Sequence, residues 1–185
     1  MLHQLTLIAD RGLRLTSDLT RTVRLDAVPL ELEPINAQQL CEQIVREMAP
    51  LYEQYGRKIT LTGRRAKPLV LAHRELLTSV VSHFADNALH YGDDSGPVVV
   101  SLQARSKGTL RIGVRDHGPA LSFKDWRVAT KKRQALPTRP QASGLGLYIA
   151  EQFSHAMGGA IGLTRHRDGA TFYVDVPISE QLSLL

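Results

Sequence analysis

Leu5, Ile8, Gly12, Leu15, Leu19 and Thr22 recur at alternating steps of three and four, the seam of a coiled-coil or bundle helix. One helix is predicted over residues 2–25, polar on its other faces. No other segment carries a matching seam, so the stripe must dock on the rest of the chain or on another chain; another chain is the expected partner. Pro29 and Pro34 then bracket a short linker at 28–35. Asn36 reads as a helix N-cap, with Gln39 completing a capping box. Leu40, Ile44, Met48, Leu51 and Tyr55 continue at helical spacing, Pro50 is a kink point, and Gly56 can close the helix in a left-handed conformation.

Residues 58–61 and 69–71 read as short strands. Residues 75–90 read as a helix with Leu76, Val80, Phe84 and Ala88 on one face. Apolar and polar residues alternate over 98–104 and 109–115, predicting a hairpin across a Ser-Lys-Gly turn. Residues 116–142 show little periodicity. A helix follows over 144–157, stopped by Gly158-Gly159, and a second hairpin, 161–165 and 170–176, turns at Asp168-Gly169. This order of helices and hairpins suggests one sheet with helices on one face, an α+β layer pair.

Composition narrows the class. A single cysteine, Cys41, excludes an internal disulfide. No apolar run approaches the ~20 residues that span a bilayer. The net charge is +5, and its placement is uneven. Between His117 and Gln141 stand Lys124, Arg127, Lys131, Lys132, Arg133 and Arg139 against one acid, Asp125. A basic loop this long inside a small domain is expected to be a functional lid or a disordered segment. It ends at Ser-Gly-Leu-Gly-Leu, where a helix begins, and free N–H groups at a helix start favour an anion.

Three segments could carry chemistry. His83, Asn87 and His90 share one helix face at steps of four and three. An amide oxygen on Asn87 suits Mg²⁺, a hard cation that keeps water and phosphate as its other ligands; a plain polar helix face would look the same. Asp116-His-Gly118 ends a strand. A buried carboxylate there can accept from the exocyclic amine of adenine and repel the carbonyl of guanine, although Asp-x-Gly is also a common turn. Gly144-Leu-Gly146-Leu could wrap phosphate oxygens or could be a softened helix start.

Together, in this order and at these intervals, the segments resemble the ATP-binding domain of sensor histidine kinases, within the superfamily shared with gyrase B and Hsp90. Residues 87–91, Asn-Ala-Leu-His-Tyr, resemble the Asn box; 116–118 resemble the first glycine box and 144–147 the second. The likeness covers residues 36–178, and the preceding helix is similar to the second helix of the kinase dimerisation hairpin. It implies a two-layer α+β Bergerat-fold sandwich, a mixed sheet with helices on one face, preceded by a long dimerisation helix. The expected division is a partial dimerisation helix at 1–28, a linker at 29–35, the ATP-binding domain at 36–178 and a tail at 179–185.

The resemblance implies Mg-ATP as ligand. Asn87 would hold Mg²⁺, and His83 and Asn87 would be the catalytic pair. Asn87, His90, Tyr91, Asp116, Gly118, Ala120, Gly144, Leu145, Gly146 and Leu147 would contact the nucleotide. Some of the lid cations would neutralise triphosphate charge. It further implies transfer of the γ-phosphoryl group to a histidine outside this chain, since no His-Glu-Leu-Arg-Thr-Pro-like acceptor segment is found. The implied partners are a response-regulator receiver domain and a second copy through the N-terminal helix. The implied location is the cytoplasm, free or as the cytoplasmic part of a membrane-anchored sensor. Four positions depart from the pattern: His83 replaces an Asn, His90 a Lys, and Ala120 and Ala142 each a Gly; Phe123 and Trp126 stand in for lid aromatics. The alternative these departures suggest is a non-catalytic docking or phosphotransfer module for a response regulator. A nucleic-acid role, prompted by a pI near 9.6, has no reading motif behind it, and no nucleic-acid partner is expected.

Overall fold

A computed structural model of the chain describes residues 2–25, 29–63, 68–106, 108–119, 121–132 and 144–180. The element order is α1 (Leu2–Arg24), β1 (Glu33–Ile35), α2 (Ala37–Gln54), β2 (Ile59–Thr62), β3 (Val70–Ala72), α3 (Arg74–Tyr91), β4 (Val98–Arg105), β5 (Thr109–His117), α4 (Phe123–Lys131), α5 (Gly146–Ala156), β6 (Ala160–His166) and β7 (Gly169–Pro177). Five strands form one mixed sheet in the order β2-β4-β5-β7-β6. Only the β2–β4 pair is parallel. A parallel pair needs a crossover, and the chain between these two strands contains α3. The α+β class expected from the pattern is the one observed.

Strand periodicity explains why one face of this sheet is covered. Val98, Val100 and Leu102 of β4, Leu110, Ile112 and Val114 of β5, and Phe172, Val174 and Val176 of β7 are all buried. They sit at alternate positions and so point to one side, where α2, α3 and α5 pack. The opposite side is polar. There Arg111 forms a bidentate pair with Asp175 at 2.7 Å for both bonds, and its guanidinium lies 3.4 Å above the Tyr173 ring. That ring covers Gly162 directly across the β6–β7 ladder, where a Cβ would stand 2.2 Å from it. A sheet with one dry and one wet face makes a two-layer domain.

Local signals set most boundaries. The Asn36 side chain accepts from the Gln39 N–H at 3.1 Å and starts α2, a cap worth about 1 kcal/mol. Gly56, at φ +67°, ends its last turn. Pro50 lies inside α2, which nonetheless runs on to Gln54. Two elements lie where none was expected. The presumed linker contains β1, which pairs antiparallel with β3 in a separate two-stranded sheet. The presumed loop at 116–142 contains α4, capped by Ser122, whose Oγ accepts from the Asp125 N–H at 3.0 Å.

The second half of α1 docks on this chain. Leu15 packs against the core, and Thr22 and Asp18 are buried. Asp18 Oδ2 accepts from Ser79 Oγ at 2.6 Å and lies 3.1 Å from His83 Nε2. Arg21 adds a half-exposed pair with Glu75 at 2.9 Å. The helix expected to meet another chain thus packs in part on α5 and bonds to α3, while Leu13 and Val23 remain exposed. No helix among the described residues is long and apolar enough to cross a membrane.

Burial pushes the Asp18 carboxyl upward, but hydrogen bonds from His83 and Ser79 and nearby positive charge outweigh it, and the net shift is downward. The folded state therefore favours the ionised form. That stabilisation is complete above the ordinary Asp value of about 3.9 and fades as pH falls through the lower folded value. Asp18→Ala should cost about 1–3 kcal/mol at pH 7, by removing a buried acceptor from two donors. Chemical denaturation of both proteins from pH 7 to pH 3 should show the difference shrinking in acid; equal stability at pH 7 would exclude this role for Asp18.

Candidate functional site

The site is assembled from the end of α3, the end of β5 and the start of α5. Twelve of the 18 residues of α3 are buried, which is why its apolar periodicity is blurred: the helix is covered on nearly every side. Tyr52 of α2 donates to the Ala85 carbonyl at 2.7 Å, and burial holds the Tyr52 hydroxyl well above its usual pKa. Phe84 stacks on Phe172 of β7 with ring centroids 6.0 Å apart. These anchors leave the last two turns of α3, with Asn87, His90 and Tyr91, as its functional end.

Asn87 is half-buried, and its Nδ2 is buried with no hydrogen-bond partner in the protein. An unpaired buried amide group costs free energy, so a ligand is the expected source of the missing bond. A half-turn of the side-chain amide exchanges its oxygen and nitrogen. The residue therefore fits a ligand of either polarity, including a hard cation at its oxygen. His90 is exposed, with its ring edge-on to Tyr55 at 6.0 Å, and Tyr91 is half-buried.

The β5 end is locked against this helix terminus. Asp116 is buried, and its Oδ1 accepts from the Ala170 N–H at 3.0 Å across the β5–β7 ladder. Gly118 has φ +152°, and a Cβ there would stand 2.7 Å from the Tyr91 carbonyl oxygen and 2.9 Å from the Gly92 Cα. Glycine is required on both counts. The Asp93 N–H donates to the His117 carbonyl and joins the same two segments. The candidate adenine carboxylate and the Asn-bearing helix thus meet through bare backbone.

The third segment meets the same helix one turn earlier. His83 is buried; its Nε2 faces the Asp18 carboxylate, and Nδ1 lies 3.4 Å from the position of a Cβ on Gly146. The carboxylate can only accept, so Nε2 carries a proton. Gly144 has φ +69°, half-buried Leu145 precedes the helix, and Leu147 and Ile149 are buried as α5 packs down. Beside it, Trp126 of α4 lies 5.9 Å from the Phe172 ring, which extends the Phe84–Phe172 contact into the lid region. Lys124, Arg127, Lys131 and Lys132 are exposed on α4. Arg133, Arg139, Ala120 and Ala142 lie outside the described residues.

The sequence reading overlooked Arg57. Its guanidinium donates to the carbonyls of Ala88, at 3.3 Å, of Leu89, and of Gly92, at 2.6 Å, and its Nε pairs with Asp94 at 2.8 Å. These are carbonyls at a helix C-terminus, that of Ala88 also receiving the Gly92 N–H at 3.0 Å, and a cation is favoured there. Backbone acceptors more than 30 residues away leave no mark in a sequence pattern. The Ser122-x-x-Asp125 cap, by contrast, was a readable signal for α4.

Residues 72–180 match the family of histidine kinase-, DNA gyrase B- and HSP90-like ATPases. A sensor histidine kinase component, HK1, from Mycobacterium tuberculosis is 38% identical over 130 residues, covering 66% of this chain and 76% of its own. The adaptive-response sensory kinase SasA of Synechocystis is 23% identical over 148 residues, 78% of this chain but 39% of its own. Full-length ShkA, solved in complex with AMPPNP, superposes over 99% of this chain and 39% of its own with a TM-score of 0.78 at 28% identity. The catalytic domain of the histidine kinase ThkA aligns with a TM-score of 0.70 over 80% of this chain at 18% identity, which is a likeness of fold. The chain spans about two fifths of the length of SasA. With the Asn-bearing helix, the buried carboxylate and the glycine turn placed together, the chain belongs to the histidine kinase-, gyrase B- and HSP90-like ATPase family, as the ATP-binding domain of a sensor histidine kinase.

Proposed function

We propose that this domain binds Mg-ATP between the end of α3 and the start of α5 and passes its γ-phosphoryl group to a histidine outside the chain. The observation that carries the reading is the backbone contact at Gly118. It brings the strand end that bears Asp116 against the helix end that bears Asn87 and Tyr91. In this reading Asp116 accepts from the exocyclic amine of adenine, with Gly118 leaving room for the ring. Asn87 would hold Mg²⁺, which when bound offsets the charge of the phosphates. Tyr91 and His90 line the nucleotide, and Gly144 to Leu147 shape the turn beside the phosphates, where the N-terminus of α5 favours negative charge. His83 is then a residue of the reacting end by position, with its proton pledged to Asp18.

Phosphoryl transfer asks for positioning and charge neutralisation more than for covalent chemistry by the protein. The cations on α4 suit that need. The acceptor is an imidazole nitrogen that attacks the γ-phosphorus as the bond to the ADP oxygen breaks. A receiver domain that takes the phosphoryl group and a second copy of the parent kinase complete the proposed partners, in the cytoplasm.

Asn87→Ala should abolish the Mg²⁺-dependent part of ATP affinity in calorimetry, while Mg²⁺-free binding falls much less. Asp116→Asn keeps an acceptor for the Ala170 N–H but replaces carboxylate with amide. It should weaken ATP binding by roughly 10- to 100-fold and narrow the preference for ATP over GTP. Unchanged base preference would remove Asp116 from the adenine site. Gly118→Ala should destabilise the fold by about 1–3 kcal/mol, from positive φ and backbone overlap, and a thermal melt reads this directly.

A further inference from the structure

We propose that Arg57 is the positioning residue for adenine recognition: it fixes the end of α3 at the depth where Asp116 and the Asn-bearing turn share one nucleotide. The inference rests on the ATP-site reading above.

The geometry sets Arg57 apart from an ordinary surface cation. Its side chain is 18% exposed, whereas its acidic partner Asp94 is 82% exposed. The Asp94 pair is therefore the weaker, screened part of the contact. The three carbonyls are the stronger part. Ala88 and Leu89 lie in the last turn of α3, one and two residues after Asn87, and Gly92 follows Tyr91. A planar guanidinium with donors at fixed angles holds these acceptors in one relative orientation. The same turn is the surface against which Gly118 closes: the Tyr91 carbonyl, the Gly92 Cα and the Asp93 N–H. Arg57 thus grips the turn that the adenine-box strand also touches.

Arg57 is itself held firmly. It directly follows Gly56, the left-handed stop of α2, and its N–H donates to the Tyr52 carbonyl at 2.9 Å. Tyr52 also donates to Ala85. The next residue, Lys58, receives the Val98 N–H at 2.8 Å as β2 and β4 align. The guanidinium therefore relates the α3 terminus to the sheet edge and to α2 together. Ala88 and Leu89 directly follow Asn87, so loosening the grip should lower the affinity for ATP and ADP alike and shift the base preference. A displacement on the order of 1 Å in such a frame can cost up to about 100-fold.

The test compares wild type with Arg57→Gln and Arg57→Lys in titrations with Mg-ATP, Mg-ADP and Mg-GTP, each below the melting temperature of the variant. Arg57→Gln should weaken ATP and ADP by the same factor, roughly tenfold or more, and reduce the ATP-over-GTP preference. Arg57→Lys, which keeps charge but loses the fork, should fall between. In wild type, hydrogen exchange should show the Asp93 amide slowing when ADP is added. Wild-type binding with unchanged affinity and base preference in Arg57→Gln, or with an Asp93 amide indifferent to ADP, overturns the assignment. A purely structural role would lower the melting temperature and leave these ratios alone. If Arg57→Gln does not fold, the lysine variant and the wild-type exchange decide. Failure of the wild type to bind ATP overturns the ATP-site reading itself, a different result from a wild type that binds and variants that match it.

Discussion

The constraint on which the site depends is a contact between two stretches of backbone. Gly118 lies so close to the Tyr91–Asp93 segment that any side chain would overlap main-chain atoms. Side chains can flex to relieve a clash; backbone atoms at the end of a hydrogen-bonded helix cannot do so cheaply. The strand end and the helix end therefore have one relative position, and Asp116 and Asn87 inherit it. Neighbouring glycines serve the same join: a Cβ on Gly92 would meet the Ala88 carbonyl at 2.5 Å, and one on Gly96 would meet the His117 ring at 2.9 Å.

The remainder of the fold keeps that join still. The dry face of the sheet buries a column of aliphatic residues under α3, each worth about 1.5–3 kcal/mol relative to exposure. Phe172 spans the layer, with Phe84 of the helix on one side and Trp126 of α4 on the other. The wet face is stabilised differently, by the Arg111–Asp175 fork and the Tyr173 ring laid over Gly162. Since the helices cover one face only, the site opens at the ends of strands and helices and owes nothing to the outer face.

Much of this was legible in the chain, for physical reasons that differ by element. The hairpins are legible to within two residues at each strand end because alternation and turn chemistry are local. The Asn36 cap and the Gly56 stop are local too. β1 was taken for linker because Pro34 sits in it; proline is tolerated there because the strand belongs to a two-stranded ribbon that is all edge. α4 is hard to read because nine residues make fewer than three turns, although Phe123, Trp126 and Thr130 keep helical spacing. The boxes suggested which site residues belong together, but not what holds them. Arg57 acts on backbone carbonyls, and Asp18 on residues 61 and 65 positions away. Neither relation has a spacing that a sequence pattern could carry.

One helix meets nearly every other part of the molecule, and this bears on how a signal could reach the nucleotide. Through Ser79 and His83, α3 touches α1; through His83 it also touches Gly146. Its end touches Arg57 and Gly118. A helix so enclosed cannot shift alone without opening voids in a close-packed core. The contacts that can change at lower cost are those of α1, whose hold on α3 relies on the Asp18 carboxylate with its two donors and the half-exposed Arg21–Glu75 pair. The His83 ring spans that hold and the glycine turn at once. Separating α1 would leave the Nε2 proton without its acceptor, and the ring would have to reorient or find another partner. α1 also packs directly on α5, so a change at α1 reaches α5 both by that contact and through the His83 ring, without requiring α3 to move.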